Sequence, residues 1–553
     1  MSCFGVDGFG EEAFGVSEHV DADNSAFRAF LEQVSAQRVW LLEIDALPLA
    51  PVDSLSSAFG EAAFGESGFG DDESGNVAGI RTLRWSTHGY TSHSSDTPAS
   101  VHFDGRIAGF RVERDIAGRD GIGGLARVFA ELSLVNADGG LDGLTDDYAL
   151  DGRTVRILVG DLNSAYAEFG TVFTGVVEDA EISDRELRFR FSDGMARLEL
   201  PIQNNRYLGT GGLEGGADLK GKPKPLCYGR AYNVAPVLVD AFNLIYQVHD
   251  GAIQDVPAFR DRGVALTKVG SAPAPGEYMV DTATGTVQLG AMPDGEPTCD
   301  VEGDTPAAGY TERLAVIAQR ILAGKLYTSE IDTTAFANLN ALIEAPVQVF
   351  VGAEERTAAS VLETLFAGAG CFAGFSRQGV FTAGRLSDPA ADAPVIELDS
   401  VDIVTLSREP LPEPVEPIAW AVAVGWRLNH TVQSDIAALA SDADRAFAVE
   451  QWRVARAENS AVQSRHLLAR EYGPVQSPFV DAADAEDEAD RLFALWGVQR
   501  ARYRAGTHAK GMLADVGRTV LITHPRHRLQ FGRAARVVGQ TIEMSRTELR
   551  VIV

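Results

Sequence analysis

The chain has 553 residues, 45% of them hydrophobic and 23% charged, a balance that suits packed domains and excludes wholesale disorder. Its formal net charge of −30 repels phosphate backbones and excludes general nucleic-acid binding over most of the surface. The 56 glycines require many turns, so at about 100–200 residues per domain the length predicts three to five domains, rich in β structure.

Met1-Ser2-Cys3-Phe4 lacks the basic start and apolar run of a secretory signal. No uncharged apolar stretch reaches membrane-spanning length, so a chain made and folded as a soluble protein is expected. Phe-Gly then recurs every five residues, at Phe4, Phe9 and Phe14 and again at Phe59, Phe64 and Phe69, with acidic or small residues between. That period fits neither a helix nor a strand and predicts looped segments whose phenylalanines plug into neighbouring surfaces or subunits. Between the two arrays, residues 25–34 read as a short amphipathic helix capped by Asn24 or Ser25, and residues 38–47 as a strand.

From Ile80 the chain is dense in short strands, with clear alternation at Val128-Phe129-Ala130-Glu131-Leu132 and a turn at Asp138-Gly139-Gly140. Residues 150–161 and 170–201 follow a distinct grammar: a polar Gly-Arg turn, an apolar strand, a second strand, then an alternating one. Residues 203–230 form a Gly- and Pro-rich loop carrying Lys220, Lys222, Lys224 and Arg230; its glycines do not open a helix after a strand, so it is no phosphate cradle. Short strands return over residues 233–305. Helical periodicity marks residues 310–323, 332–342 and 358–368, and residues 372–384 read as a hairpin about Arg377-Gln378-Gly379. Pro410, Pro412, Pro414 and Pro417 make a stiff connector. Beyond it lie a strand from Ile418 and an acidic-fronted helix over residues 481–496. Residues 507–553 close the chain with the grammar of 150–201: Asp515-Val516-Gly517 is a turn, and Thr519, Val537 and Leu549 sit in aliphatic runs broken by Gly or Pro. Two similar small barrels in one chain suggest an internal duplication.

Candidate chemistry is sparse. Cys3, Cys227, Cys299 and Cys371 never fall in a C-x-x-C spacing, so buried free thiols are expected; an iron–sulfur or zinc site requires all four to converge. Cys371, in an apolar context, reads as an inert core thiol. His88, His93, Asp96, His102 and Asp104 offer ligand atoms without a zinc motif, and His524-Pro525-Arg526-His527 reads as a loop or interface contact. Trp420, Trp426 and Trp452 could stack on sugars if exposed, but their strand context favours a core or an interface. No G-x-S-x-G, H-E-x-x-H or evident Cys–His pair occurs, and among 78 acidic residues no carboxylate pair stands out.

The segments "RLFALWG" with "DVGRTVLITHPRHRLQFGRAARVVG", and "DGRTVRILVG" with "TVFTGVVEDAEISDRELRFRFSDG", resemble the two barrels of phage baseplate hub proteins. The middle, "NRYLGTGGLEGGADLKGKPKPLCYGRAYNVAPV" with "YQVHDGAIQDVPAFRDRGVAL", is similar to tail-tip proteins of long-tailed, siphophage-like phages, so the likeness covers most of residues 80–553. The reading that follows is a mainly β, multidomain fold with α+β parts. Residues 1–79 are an N-terminal Phe-Gly and attachment segment, 80–202 the first hub barrel and 203–305 an inserted loop and β-domain. Residues 306–400 are a small α+β domain, and 401–553 the connector, helix and second hub barrel. The resemblance implies a structural virion protein of the tail tip, assembled in the host cytoplasm as a homotrimer that adapts a sixfold tube to a threefold tip. It also implies partners, namely distal tail, tape-measure and tail fibre proteins. DNA crosses only transiently, along a lumen wall that the acidic balance would make slippery. No enzymatic role, catalytic residue, cofactor or metal is implied. Two alternatives stand beside it: a receptor- or glycan-binding adhesin using residues 232–304, and a cell-wall hydrolase embedded in a hub.

Overall fold

The computed structural model describes residues 25–33, 37–49, 79–116, 123–412 and 415–553; both Phe-Gly arrays and Cys3 lie outside them. The fold is mainly β and multidomain, as expected. Helix α1 (Ser25–Glu32) exists because Phe27 and Leu31, one turn apart, form an apolar stripe that is buried. Phe27 lies against Gly170, where any Cβ would collide with its ring.

A first β unit follows: β1 (Arg38–Pro48), β2 (Arg81–Ser86), β3 (Ile107–Asp115), β4 (Arg127–Val135), β5 (Thr154–Asp161), β6 (Gly170–Ile182) and β7 (Glu186–Ser192). Its strands alternate as the pleat demands: on β4, Ala130, Leu132 and Leu134 are buried while Phe129 and Val135 are exposed. The middle of the chain supplies β8 (Leu226–Val234), β9 (Ile253–Asp261) and β10 (Pro297–Asp304), which belong to one of two five-stranded sheets there. Next come α2 (Leu314–Ala323), α3 (Thr333–Leu342), β11 (Gln348–Val351), α4 (Ala358–Gly368), β12 (Cys371–Phe375) and β13 (Phe381–Arg385). Asp332 and Thr357 cap α3 and α4 by accepting the N–H groups of Ala335 and Ser360.

The second β unit uses β14 (Ile396–Leu398) and β15 (Ile403–Glu409). A three-stranded sheet then intervenes, β16 (Ala419–Trp426), β17 (Arg453–Glu458) and β18 (Arg470–Gln476), with α5 (Ala482–Trp496) packed on it. The unit resumes with β19 (Arg502–Thr507), β20 (Thr519–His524), β21 (Leu529–Glu543) and β22 (Thr547–Ile552).

The two units have the same topology. Spatial order is β5-β6-β7-β4-β3 in the first and β20-β21-β22-β19-β15 in the second. In each, three consecutive strands form a meander whose last strand pairs with the strand before the meander. The central strand bends in the same place. β6 leaves β5 at Val176 and shifts register on β7 between Val177 and Asp179; β21 leaves β20 at Arg536 and shifts register on β22 between Val537 and Gly539. The turns Gly152-Arg153-Thr154 and Gly517-Arg518-Thr519 dock identically. Gly152 donates to the Val177 carbonyl at 2.9 Å and Val177 to Arg153 at 2.9 Å, while Gly517 donates to Val537 at 2.8 Å and Val537 to Arg518 at 2.9 Å. Both glycines have positive φ, 70° and 84°, which a side chain at that position would strain.

One expectation is corrected. The units do not form two separate closed barrels; among the described residues they share one 16-stranded sheet folded over a single core that includes Trp40, Phe110, Phe189, Tyr503, Val537 and Leu549. The join is an antiparallel ladder between β3 and β21, from Asp115 opposite Gly539 to Arg111 opposite Glu543. It occupies the side of β21 that β20 vacates. Burying one continuous apolar face removes the need to close each unit on itself.

Candidate functional site

Eight strands in a row, β6-β7-β4-β3-β21-β22-β19-β15, carry the core on one face and charge on the other. Across the solvent face Arg190 pairs with Asp179 and lies opposite Glu131, which lies opposite Arg111. Arg111 meets Glu113 at 2.8 Å, and Arg550 bridges to Glu113 at 2.6 Å and Asp115 at 2.8 Å. Arg504 then meets Glu409 at 2.6 Å and Glu548 at 3.5 Å. Burial presses the Glu113 carboxyl upward, but Arg111 and Arg550 outweigh it and hold it below its ordinary range. Exposed pairs of this kind add about 0–1 kcal/mol each, so their weight is in the character of the surface: a broad wall of alternating sign, where the sequence led us to expect an acidic one.

Beneath the wall, Arg114 is on the inward parity of β3 and only 4% exposed. Its guanidinium donates to the Val172 carbonyl at 2.9 Å and to Gln540 Oε1 at 3.4 Å, and Gln540 Nε2 donates to the Ala514 carbonyl at 3.0 Å. This chain of bonds ties the units together under their shared ladder. A cavity of about 260 Å³ opens beside it, lined by Arg114, Asp515, Arg518, Asp332, Gln378 and Phe372 among others. Sequence reading missed both residues of the tie. The available signal was an arginine at an apolar-parity position.

The residues singled out from sequence are placed as follows. His88 Nδ1 contacts Thr87 Oγ1 and His102 Nδ1 contacts Thr91 Oγ1, each at 3.0 Å; Asp96 accepts the His93 and Tyr166 N–H groups; Asp104 pairs with Arg106 at 2.6 Å. These are turn and ladder contacts, and no group of three potential ligands converges on a metal site among the described residues. His524 Nδ1 accepts the Arg526 N–H at 3.2 Å, and His527 and Arg528 hold positive φ in a tight hairpin turn. Cys227, Cys299 and Cys371 are buried free thiols; burial pushes Cys371 up to about 12. Cys227 does meet a histidine, but through its backbone: its N–H donates to His249 Nδ1 at 3.0 Å while its sulfur faces the Val301 carbonyl. That arrangement does not activate a thiol.

In the loop before β8, Lys224 bridges to Glu214 at 2.7 Å; Arg230, expected in that loop, lies on β8 itself and bridges to Glu312 at 2.9 Å. Two of the three tryptophans are occupied by the chain's own cations, and the ring of Trp452 lies against Gly425. Arg456 covers Trp420 at 5.2 Å, Arg427 and Arg453 flank Trp426 at 5.2 and 5.6 Å, and Arg427 also covers Tyr232 at 4.9 Å. Beside this stack the β-domain is fastened to the sheet around β16. Asn233 Nδ2 donates to Asn429 Oδ1 at 2.8 Å and to the Thr431 carbonyl at 2.7 Å, and Asn429 Nδ2 reaches the carbonyls of Phe447, Ala448 and Glu450 at 3.0–3.1 Å.

No protein-family model matches the chain, and no curated protein does either. Among solved structures it is similar to the tail protein from Neisseria meningitidis MC58, at 10% identity and a TM-score of 0.40, covering 81% of this chain and 92% of that one. It is also similar to the 43 kDa tail protein of prophage MuSo2 from Shewanella oneidensis, at 9% and 0.36, covering 82% and 96%. A third likeness is to a chain in the virion of the native gene transfer agent particle, at 14% and 0.41, covering 65% and 92%. No helix among the described residues is long and apolar enough to cross a membrane. The chain is thus similar in structure, at low sequence identity, to tail proteins of phages and phage-like particles.

Proposed function

We propose that this chain is the baseplate hub at the tip of a siphophage-type tail, a structural virion protein assembled in the host cytoplasm as a homotrimer. In this reading it adapts a sixfold tube to a threefold tip, lines or closes the DNA exit channel, and anchors fibre proteins beside the distal tail and tape-measure proteins.

One observation carries the reading. Inside the chain, β21 offers the edge vacated by β20 and receives β3. Its counterpart β6 offers the same edge beyond Val177, over residues 179–182, and among the described residues no strand takes it; β15, the counterpart of β3, pairs with β19 alone. Equivalent edges form equivalent contacts, so β15 of one copy fits β6 of the next. This is a heterologous interface, which closes into a ring when the rotation allows. Three copies give a ring of about 24 strands at about 4.8 Å per strand, tilted by about 40°, hence a mean diameter of about 48 Å. With side chains in place the bore still passes a DNA duplex, and its wall is the alternating-charge face.

The ladders also give the register. Glu543 opposite Arg111 corresponds to Ser183 opposite Ser407. With Cys3→Ser as background, Ser183→Cys combined with Ser407→Cys is expected to yield disulfide-linked dimers and trimers in assembled tails, with trimer the largest species. Each single variant stays monomeric on a non-reducing gel. Monomer alone from the double variant in particles would sink the reading.

A second reading, a tail-tip adhesin, is favoured by Phe242. It is 93% exposed on a turn stiffened by Asp240, whose carboxylate accepts from the Phe242 and Asn243 N–H groups and from Asn243 Nδ2. An exposed aromatic on a rigid support is a recognition feature. Phe242→Ser particles that assemble normally but lose adsorption to host cells would support it, and unchanged adsorption would remove it.

A further inference from the structure

We infer that the tip of the β20–β21 hairpin is a docking site for an acidic, phenylalanine-bearing segment, and that the segment is a Phe-Gly array of this chain. The tip is built for contact. Two positive-φ residues, His527 and Arg528, close the turn, and Leu529 anchors it in the core at 0% exposure. Register then slips: Ile522 lies opposite Arg533 and His524 opposite Leu529, so residues 530–532 bulge out, with Gly532 at φ 74°. The bulge lifts Phe531 to 92% exposure, in a strand whose following residues 535–542 are all buried. Arg526, Arg528 and Arg533 flank it along the hairpin, all exposed.

These three arginines differ from their neighbours. Arg536, on the same strand, is buried and paired with Asp392, and the arginines of the charged wall have carboxylate partners. No ion pair joins Arg526, Arg528 or Arg533 to any described residue. In a chain of net charge −30, a cationic tip with a bare aromatic calls for an anionic partner that also carries aromatic rings, because guanidinium groups bind both carboxylates and ring faces.

The chain contains such a partner twice. Residues 1–24 hold six acidic residues and three Phe-Gly steps, and residues 50–78 hold the same numbers; neither stretch has a lysine or arginine. A DNA backbone would satisfy the charge but leaves Phe531 without a role in a duplex contact, so the peptide is the better match.

The test uses the full chain with Phe4, Phe9, Phe14, Phe59, Phe64 and Phe69 changed to Ser, which empties its own arrays. A fluorescent peptide of residues 57–75 is titrated and read by anisotropy. Saturable binding is expected, weakened at least about tenfold by Arg526→Glu, Arg528→Glu and Arg533→Glu together, and by replacing the peptide's three phenylalanines with serine. It should weaken with added salt as surface charges are screened, and Arg188→Glu, on the wall, should leave it unchanged. If the charge-reversed protein melts early, the corresponding glutamine variants replace it. Equal binding by the tip variants, equal binding by the serine peptide, or binding of a short DNA duplex at the tip with none of the peptide, would each overturn the assignment.

Discussion

Asn429 carries the joint between the β-domain and the sheet around β16, and its loss has a calculable cost. It is 1% exposed, accepts from Asn233 Nδ2 and the Thr431 N–H, and donates to the Phe447, Ala448 and Glu450 carbonyls. One amide has two N–H groups, so two of the three carbonyl contacts can be strong at once. About four hydrogen bonds at about 1 kcal/mol each, with the Asn233 amide left short of an acceptor in a buried place, put Asn429→Ala at about 3–5 kcal/mol. Unfolding of so many domains is not a single transition, and the measurement is therefore local: hydrogen exchange over residues 429–433 and 447–450, where opening should accelerate by at least about a hundredfold. Asn429→Asp, which keeps one acceptor but sets a charge against three carbonyls, should be worse. Exchange within about twofold of the parent in both segments would refute the joint.

The His430 ring is held down to about 4 by burial and by Arg356, against about 6.5 when free. The unfolded chain therefore binds the proton more readily, and this group's stabilisation drains as pH falls from about 6.5 to 4, by about 1–3 kcal/mol; His430→Leu should flatten the urea midpoint between pH 7 and 5. Asp193 runs the other way. Burial pushes it up to about 6, so the folded state holds its proton more tightly and stability from this group falls as pH rises from about 4 to 6. Asp193→Asn should stabilise by about 2–3 kcal/mol at pH 8 and by less than about 1 kcal/mol at pH 4; a destabilised variant at pH 8 contradicts it. The buried Cys227, Cys299 and Cys371 should resist a thiol reagent in native Cys3→Ser protein and react stoichiometrically in denaturant, and native labelling of any of them would overturn their reading as core thiols.

Local signals in the sequence found most strands, because period two and Gly-Arg-Thr turns are written in adjacent residues. The duplication was legible for the same reason: Gly152 and Gly517 open matching turns. What adjacent residues cannot encode was missed. β21 reads as two short runs, since nothing at Gly532 or Gly539 reveals that one strand of 15 residues serves two partners in succession. Helix α2 begins at Leu314, not at Tyr310, because Arg313 is extended and bridges to Pro346. β17 and β18 are rich in Arg and Glu and lie beside β16 through non-local pairing, one of them parallel. The charged wall was invisible as a surface: its signs are written strand by strand, but their alignment depends on β3 meeting β21, residues more than 400 positions apart.

That alignment changes what the net charge means. Twelve of the 78 acidic residues and none of the 48 basic ones fall in residues 1–24 and 50–78, while the wall alternates sign. A wall of paired charges neither binds a polyanion along its length nor repels it, since adjacent opposite charges cancel within a Debye length of about 8 Å. In the proposed channel, low friction toward DNA would come from pairing and not from excess negative charge. Twelve of the thirty excess negative charges sit in the two arrays, a higher density than in the rest of the chain, and there the proposed docking would use them. If so, reversing one wall arginine such as Arg550, whose partners are Glu113 and Asp115, should disturb the β3–β21 junction and DNA passage together, whereas neutralising the acids of the arrays should leave ejection intact and alter only assembly. Slowed ejection from particles that carry neutralised arrays and assemble normally would put the acidic function back on the channel.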